Sequence, residues 1–474
     1  MTPADRPRNV LLLMVDEMAW WAPGFAAATG KAPASTPCLD RLAKRSVIFD
    51  SAYTPSPMCV PARAAIACGR HVHETRNWSS AEAYRGQLPS FGHRLRDRGI
   101  GMTSIGKLHY RRAADDVGID EQIEPLHIPN GIGWVRGLLR RPLCGYDATS
   151  ELAETIGPGE TDYVRFDRRV TAAACHWLEA PGRRDRPWCC FVSWLSPNYP
   201  LVAPPEFFGL YDPGRFAGAP EPVPGHPVLR QLAGFFDHDR YFSERDRGIA
   251  RAAYRGLCSF VDGEIGKTLD SLSRSGQERD TLVIFTSDHG EMLGAKGFWG
   301  KSTMYEDSVR VPLLLAGPGA DAGTRRNGPV SLIDIAPTVC EALGVPQAPA
   351  AFSGLSLLAP DMPERAVISE YHDGGCSDGI TMLRLNNREG AWKYVDYAGG
   401  HGPQLFDLRQ DPEERQDLAA THPGTADWAR RRLLDFLDPE ETNERAHADQ
   451  ERMITVLGGR EHLLGVPQWN YTPV

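Results

Sequence analysis

Asn9-Val-Leu-Leu-Leu-Met-Val-Asp-Glu17 is the stretch from which the architecture can be read. The apolar run over 10–15 is far too short to span a membrane and too uniform for a strand with one face in water. It reads as a strand buried on both faces, the kind found in parallel sheets covered by helices on either side. The run ends in Asp16-Glu17 with no small-residue cleavage site, so it does not read as a signal peptide. In a parallel sheet the ligand site lies beyond the carboxyl ends of the strands. Two acids at that position are therefore candidate site residues.

The same pattern recurs along the chain. Strand-like runs over 47–53, 102–105, 188–194, 281–286 and 311–315 alternate with helix-like segments over 36–44, 61–69, 90–98, 162–179, 245–274 and 334–343. This alternation predicts an α/β fold, a mixed and mostly parallel sheet sandwiched by helices. Residues 113–150 and 201–240 are rich in Pro, Gly and aromatics and read as excursions over the sheet edge, where pockets are built. Strand-like runs over 366–371, 381–385 and 392–397, with Asn386-Asn387 as a turn, predict an antiparallel sheet. We therefore expect a catalytic domain over 1–362 and a smaller α+β domain over 363–474. Its terminal helix is expected over 427–437, and residues 439–474 are expected to form an arm packed on the molecule or on a partner subunit.

Composition narrows the function. A net charge of −9 without a basic block gives no electrostatic footing for nucleic acid, and no run is long enough for a membrane span. The ten cysteines show no paired-ligand spacing, and Cys189 and Cys190 adjoin inside a strand-like run. Reduced, buried thiols suit a cytoplasmic protein. A homo-oligomer, dimer or tetramer, is expected.

Other strand ends are as polar as the first. Thr281-Leu-Val-Ile-Phe-Thr-Ser-Asp-His-Gly-Glu291 puts Asp288 and His289 after a strand, and Ile105-Gly-Lys-Leu-His-Tyr110 does the same with Lys107 and His109. Lys301 follows in Gly297-Phe-Trp-Gly-Lys-Ser-Thr-Met-Tyr-Glu306. Each alone has a bland reading as a cap, a solvated lysine or a core histidine. Three strands ending in clustered acids and bases are poorly explained by caps. Asp16, Glu17 and Asp288 are hard oxygen ligands suited to Ca²⁺ or Mg²⁺, and an imidazole from His289 shifts the preference toward Mn²⁺. Arg63, Lys107 and Lys301 supply positive charge for the oxygens of an anionic ester.

Cys59 sits in Pro55-Ser-Pro-Met-Cys-Val-Pro-Ala-Arg63, ahead of a helix-forming run. A helix N-terminus favours anions, and Arg63 lies one turn on. The residues leave three readings open for Cys59: an inert buried thiol, a thiolate nucleophile, or a precursor of something else.

The string Cys59-Val-Pro-Ala-Arg63 resembles the signature of the type I sulfatases, of the alkaline phosphatase superfamily. Asp16-Glu17, Gly106-Lys-Leu-His109, Ser287-Asp-His-Gly290 and Gly300-Lys301 fall in that family's order. Met304-Tyr-Glu-Asp-Ser-Val-Arg-Val-Pro312, Ser331-Leu-Ile-Asp-Ile-Ala-Pro-Thr338 and Gln404-Leu-Phe-Asp-Leu-Arg-Gln-Asp-Pro-Glu-Glu414 are similar to its later blocks, so the likeness covers about residues 9 to 420. The resemblance implies an alkaline-phosphatase-like fold and one divalent metal held by Asp16, Glu17, Asp288 and His289. It also implies that Cys59 is converted to formylglycine by a formylglycine-generating enzyme, the hydrated aldehyde being the nucleophile. Asp288 would help deprotonate that hydrate. Arg63 and Lys107 would orient it and the sulfuryl oxygens, His109 would take a proton from its second hydroxyl, and Lys301 would stabilise or protonate the leaving oxygen.

Three positions depart from the family pattern. Many members have Asp where Glu17 stands and Asn where His289 stands; His there is more like the phosphonate monoester hydrolase and choline sulfatase branch. Ser196-Pro-Asn-Tyr-Pro-Leu-Val-Ala-Pro204 resembles a block with His at position 198. Asn198 donates a hydrogen bond and is no general acid, so either Lys301 takes that role alone or the natural leaving group needs little help, and the second option favours aryl esters.

The small anionic ester expected is an aryl or small alkyl sulfate. A phosphonate monoester or phosphodiester is the alternative on the same scaffold, and a non-catalytic binding protein would need a broken site. Glu370-Tyr-His-Asp-Gly374, Trp392-Lys-Tyr394 and the Asn470-Tyr-Thr-Pro-Val tail resemble choline sulfatases. Trp78, Trp134, Tyr199 and Tyr371, with Glu370, are the residues from which a cation box would be built; Asn198, Trp78 and Tyr199 are the expected substrate contacts.

Overall fold

The computed structural model describes residues 6–26, 30–146, 148–183, 185–346, 348, 350–359, 364–466 and 472–474. Strand β1, Asn9–Asp16, is buried along its whole length. Its side chains alternate between two cores, as the pleat requires. Leu11, Leu13 and Val15 pack with the helices Asp162–Glu179 and Glu244–Arg274. Val10, Leu12 and Met14 pack with the helices Cys59–Cys68 and Ile335–Ala342 on the opposite face. Leu12→Ala would cost about 2–5 kcal/mol, because neither close-packed layer can collapse into the gap.

Seven further strands complete the sheet: β2 Ser46–Phe49, β3 Gly101–Lys107, β4 Glu121–Leu126, β5 Trp188–Pro197, β6 Thr281–Ser287, β7 Leu313–Ala316 and β8 Arg325–Arg326. The order is β8-β2-β7-β6-β1-β5-β3-β4. β1 runs parallel to β5 and β6, and β3 runs parallel to β5 and β4. β7 is antiparallel to both its neighbours. The carboxyl ends of β1, β3, β5 and β6 thus open on one edge of the molecule. The expected mixed, mostly parallel sheet between helices is what forms.

A second sheet is antiparallel throughout: β9 Ala366–Tyr371, β10 Ile380–Asn386, β11 Ala391–Tyr397 and β12 Gln404–Asp407. It is tied to the first part of the chain through Lys393. That buried ammonium donates to the Met304 carbonyl at 2.8 Å and to Glu414 Oε1 at 2.8 Å, and pairs with Glu306 Oε1 at 2.8 Å. The expected domain boundary at 362 lies within residues 360–363, outside the described residues.

Several local expectations shift. The run over 47–53 is not one strand: it breaks after Phe49, and Ala52–Tyr53 pairs in a different small sheet with Arg310–Val311 and Val330–Ser331. The terminal helix expected over 427–437 spans Pro423–Leu433, because Pro423 takes its first turn. The supposed arm contains an 18-residue helix, Pro439–Val456, with the Asp438 side chain accepting from the N–H groups of Glu440 and Glu441. Among the described residues no helix is long and apolar enough to cross a membrane.

Candidate active site

Four strands deliver polar groups to one edge. Asp16 ends β1, Lys107 ends β3, Asn198 follows β5, and Asp288 and His289 follow β6. The helix Cys59–Cys68 brings Cys59 as its first residue, with Met58 as extended N-cap and a left-handed Gly69 as stop. Lys107 reaches this edge through a bend at Gly106, whose φ is 98° and where a Cβ would lie 2.2 Å from the Ser193 carbonyl oxygen. Only glycine fits there. Glu17, His109 and Ser302, at φ 70°, 54° and 80°, also take left-handed backbone conformations rare for side-chain-bearing residues. Such strain gathers where the fold must aim a side chain.

The centre is a buried cluster of charge. One donor atom each from Asp16, Cys59, Asp288 and His289 lies within 4.8 Å of the others. Cys59 Sγ is 3.0 Å from His289 Nε2 and 3.6 Å from Asp16 Oδ1. Lys107 donates to Asp16 Oδ2 in a close ion pair, and Asn198 Nδ2 donates to the same oxygen at 2.9 Å. Arg63 Nε donates to Asp288 Oδ2 at 2.8 Å, and its Nη1 donates to the Lys107 carbonyl at 2.8 Å and to Ser193 Oγ at 3.0 Å. The other Asp288 oxygen accepts the Glu17 N–H at 3.2 Å and the His289 N–H at 3.0 Å.

Glu17 stands beside this cluster. Its carboxylate accepts from Lys301 Nζ at 2.8 Å; burial raises it well above the usual carboxylate range, Lys301 opposing and the neighbouring Glu291 adding to the rise. His109 Nε2 lies 2.9 Å from Thr472 Oγ1, while its Nδ1 is buried with no partner among the described residues.

Burial dominates the titration of the cluster. It pushes the Cys59 thiol up to about 12 and lowers His289 to about 3. Burial also drives His109 well below its usual value, with Lys107 and Arg63 adding to it. For Asp288 burial acts upward, but His289, Arg63 and Lys107 outweigh it and hold the carboxyl well below the usual carboxylate range. A protonated thiol is a poor nucleophile, whereas a neutral imidazole is the ligand form. Two carboxylates and an imidazole around one point form a donor set that fits a single divalent cation.

A cavity of about 200 Å³ opens onto this cluster. Cys59, His109, Asn198, Lys301 and Thr472 line it, with Glu17 and Glu291; aromatic walls come from Trp134, Tyr146, Tyr199, Phe236 and Trp299. Tyr199 and Asn198, the expected substrate contacts, are among its lining residues. Trp78 is not: its ring is buried edge-on against His372, and its Nε1 donates to Asp449 at 2.9 Å. Glu370 and Tyr371 also point elsewhere, into a pair with His73 and a bond to the Gly374 carbonyl. Asn470 and Tyr471 lie outside the described residues.

The sulfatase family model matches residues 8–345, well over half the chain. The chain belongs to the sulfatase family. A second model, the C-terminal part of N-sulphoglucosamine sulphohydrolase, matches residues 294–430 of this sulfatase. The choline-sulfatase of Rhizobium meliloti (strain 1021) is 32% identical over 441 residues, covering 89% of this chain and 84% of that protein. Arylsulfatase K of Danio rerio is 27% identical over 487 residues, covering 94% and 86%. In fold, the sulfatase resembles the phosphonate monoester hydrolase of Agrobacterium radiobacter, with a TM-score of 0.71 at 23% identity over 91% of this chain and 95% of the other. The enzyme is thus a sulfatase with the alkaline-phosphatase-like architecture.

Sequence reasoning overlooked Glu291, Ser193 and Thr472. Glu291 was visible as a third ionisable residue in Asp288-His-Gly-Glu291. Nothing local marks Ser193, inside a buried strand, or Thr472, more than 360 positions from its partner.

Proposed function

We propose that this sulfatase hydrolyses aryl or small alkyl sulfate monoesters, using one divalent metal and a formylglycine made from Cys59. The aromatic cavity opening onto Cys59 carries this reading: it suits a compact apolar alcohol or phenol whose sulfate reaches the charged floor. Asp16, Asp288 and His289, with position 59, are the residues that would hold the metal, and Glu17 is the carboxylate next to them. A bound metal offsets the substrate's negative charge and polarises its S–O bonds.

The chain's own groups do the rest. Arg63 and Lys107 orient the sulfuryl oxygens and stabilise charge gathering on them. His109, neutral in its buried setting, accepts a proton at a ring nitrogen. Lys301 lines the cavity and bears the charge or proton needed at the leaving oxygen. Asn198 is engaged with Asp16 and donates without acting as an acid. The walls exclude water around the ester.

The experiment is a comparison of kcat/KM on matched 4-nitrophenyl sulfate and phosphate, phenylphosphonate and choline sulfate. The aryl sulfate is expected to lead. A choline sulfate preference is the second reading, favoured by the 32% identical relative and by walls that would also seat a quaternary ammonium; a lead for the phosphonate would overturn both. In parallel, the Cys59 peptide should be about 18 Da lighter than its thiol form, where ordinary thiol oxidation would add mass. Maturation then requires a formylglycine-generating enzyme. None of the ten cysteines is in a disulfide, in keeping with the cytoplasmic location we propose; a dimer or tetramer is the expected assembly, to be read by light scattering.

A further inference from the structure

Glu291 has no part in the chemistry above, yet it lines the cavity and is almost wholly buried. Its Oε1 accepts the N–H of Leu293 at 2.6 Å and the N–H of Gly300 at 2.7 Å. Those two residues lie near opposite ends of one loop. The Met292 N–H donates to the Gly300 carbonyl at 2.7 Å, and the Gly294 N–H to the Phe298 carbonyl at 2.8 Å. The loop is strained: Leu293 and Lys296, at φ 51° and 53°, take left-handed conformations, as does Ser302 just beyond it. A strained loop holds its shape only when tethered from outside. Glu291 supplies such a tether with one oxygen.

The same carboxyl reaches Lys301 by a second route. It neighbours the Glu17 carboxyl, and Glu17 Oε2 accepts from Lys301 Nζ at 2.8 Å. Gly300, held by Glu291, immediately precedes Lys301. Glu291 therefore fixes the backbone of Lys301 through Gly300 and stands beside the Glu17 carboxylate that holds its ammonium.

We propose that Glu291 is the positioning residue of Lys301 and thereby sets how well the enzyme cleaves esters with poor leaving groups. This rests on the reading that Lys301 serves the leaving oxygen. A phenol that leaves easily needs little help from Lys301, and a poor one needs it fully. A merely structural role for Glu291 would instead lower all substrates alike.

The test is kcat/KM across aryl sulfates whose phenols differ in acidity, or across whichever ester series the wild type accepts. Wild-type turnover of 4-nitrophenyl sulfate tests the proposed function; the variant-to-wild-type ratio along the series tests this inference. Glu291→Ala should lose about 10-fold or more on phenyl sulfate beyond its loss on 4-nitrophenyl sulfate, within the range of general-acid effects. Glu291→Gln, whose amide oxygen still accepts both N–H groups, should keep the wild-type slope. The Glu291→Ala/Lys301→Ala double variant should lose no more than Lys301→Ala alone. Metal content should stay unchanged, and amide exchange over 292–301 should quicken in the Ala variant. If the Ala variant does not fold, Glu291→Asp keeps the charge, shortens the reach and carries the same comparison. An equal loss on every leaving group, additive losses in the double variant, or loss of metal would each overturn the proposal.

Discussion

Arg63 and Asp288 form a charge-assisted hydrogen bond of 2.8 Å from which water is excluded on both sides. A buried pair of this kind contributes modestly when intact and costs much when one partner is removed. Arg63→Ala is expected to destabilise the fold by about 3–5 kcal/mol, because Asp288 keeps its charge without its partner. Arg63→Lys restores a charge but not the three-way fork to Asp288, Lys107 and Ser193. It should recover most of the stability and little of kcat. Chemical denaturation and steady-state kinetics on the two variants separate these effects.

Cys59→Ala should abolish turnover and leave the melting temperature close to that of wild type. The side chain removed is small, and the helix Cys59–Cys68 keeps its other contacts. Activity above one-tenth of wild type in that variant would sink the role assigned to position 59.

Chelation should lower both activity and thermal stability, and saturating divalent metal should restore about 3 kcal/mol at one hundred times its dissociation constant. Asp16→Ala and His289→Ala should erase that increment. Glu17→Gln should retain most of it, because Glu17 is engaged with Lys301 and Glu291. Calorimetry with and without metal distinguishes the three.

The His73–Glu370 pair makes stability depend on pH. Burial works against both charges. Even so, the Glu370 carboxylate raises His73 above its usual value, and His73 and His372 hold Glu370 far below the carboxylate range. The His73 contribution is complete below about pH 6.5 and is lost as pH rises through its folded value. The Glu370 contribution is complete above about pH 4.3 and is lost as pH falls. Melting temperature should therefore decline on the alkaline side in a way that His73→Asn removes, with Glu74 and Arg445 as the other nearby charges and His71, lowered by burial, stacked on the ring.

Much of this fold could be read from the sequence because burial writes itself into apolar runs. The helix Asp162–Glu179 and the strand Ala366–Tyr371 begin and end where patterning puts them. Asp16, Lys107 and Asp288 were legible because a charged group that ends an apolar strand has few bland explanations. The misreadings have physical causes. Residues 47–53 are apolar enough for one strand, yet Asp50 and Ser51 turn the chain between two sheets. The helix Pro439–Val456 buries few apolar side chains against a largely charged face, so periodicity did not reveal it. Trp78 was placed at the substrate by residue type alone, whereas its indole N–H is satisfied by Asp449. Glu291 is visible in Asp288-His-Gly-Glu291, but its role is not, because it accepts from the backbone N–H groups of Leu293 and Gly300, which carry no sequence signal.

Lys393 has a practical meaning for anyone trimming this chain. Two of its contacts, Met304 and Glu306, belong to the segment that starts three positions after Lys301, and the third, Glu414, itself accepts the Glu306 N–H at 2.7 Å. Cutting the gene before the antiparallel sheet would not yield a minimal enzyme. It would strip the clasp from the stretch that follows Lys301 and leave the buried Glu306 with only Arg310, at 3.5 Å, and the Tyr53 hydroxyl, at 3.1 Å, as partners. The antiparallel sheet is thus part of the catalytic mould, and a nonsense mutation ahead of Lys393 should be as damaging as one at Cys59.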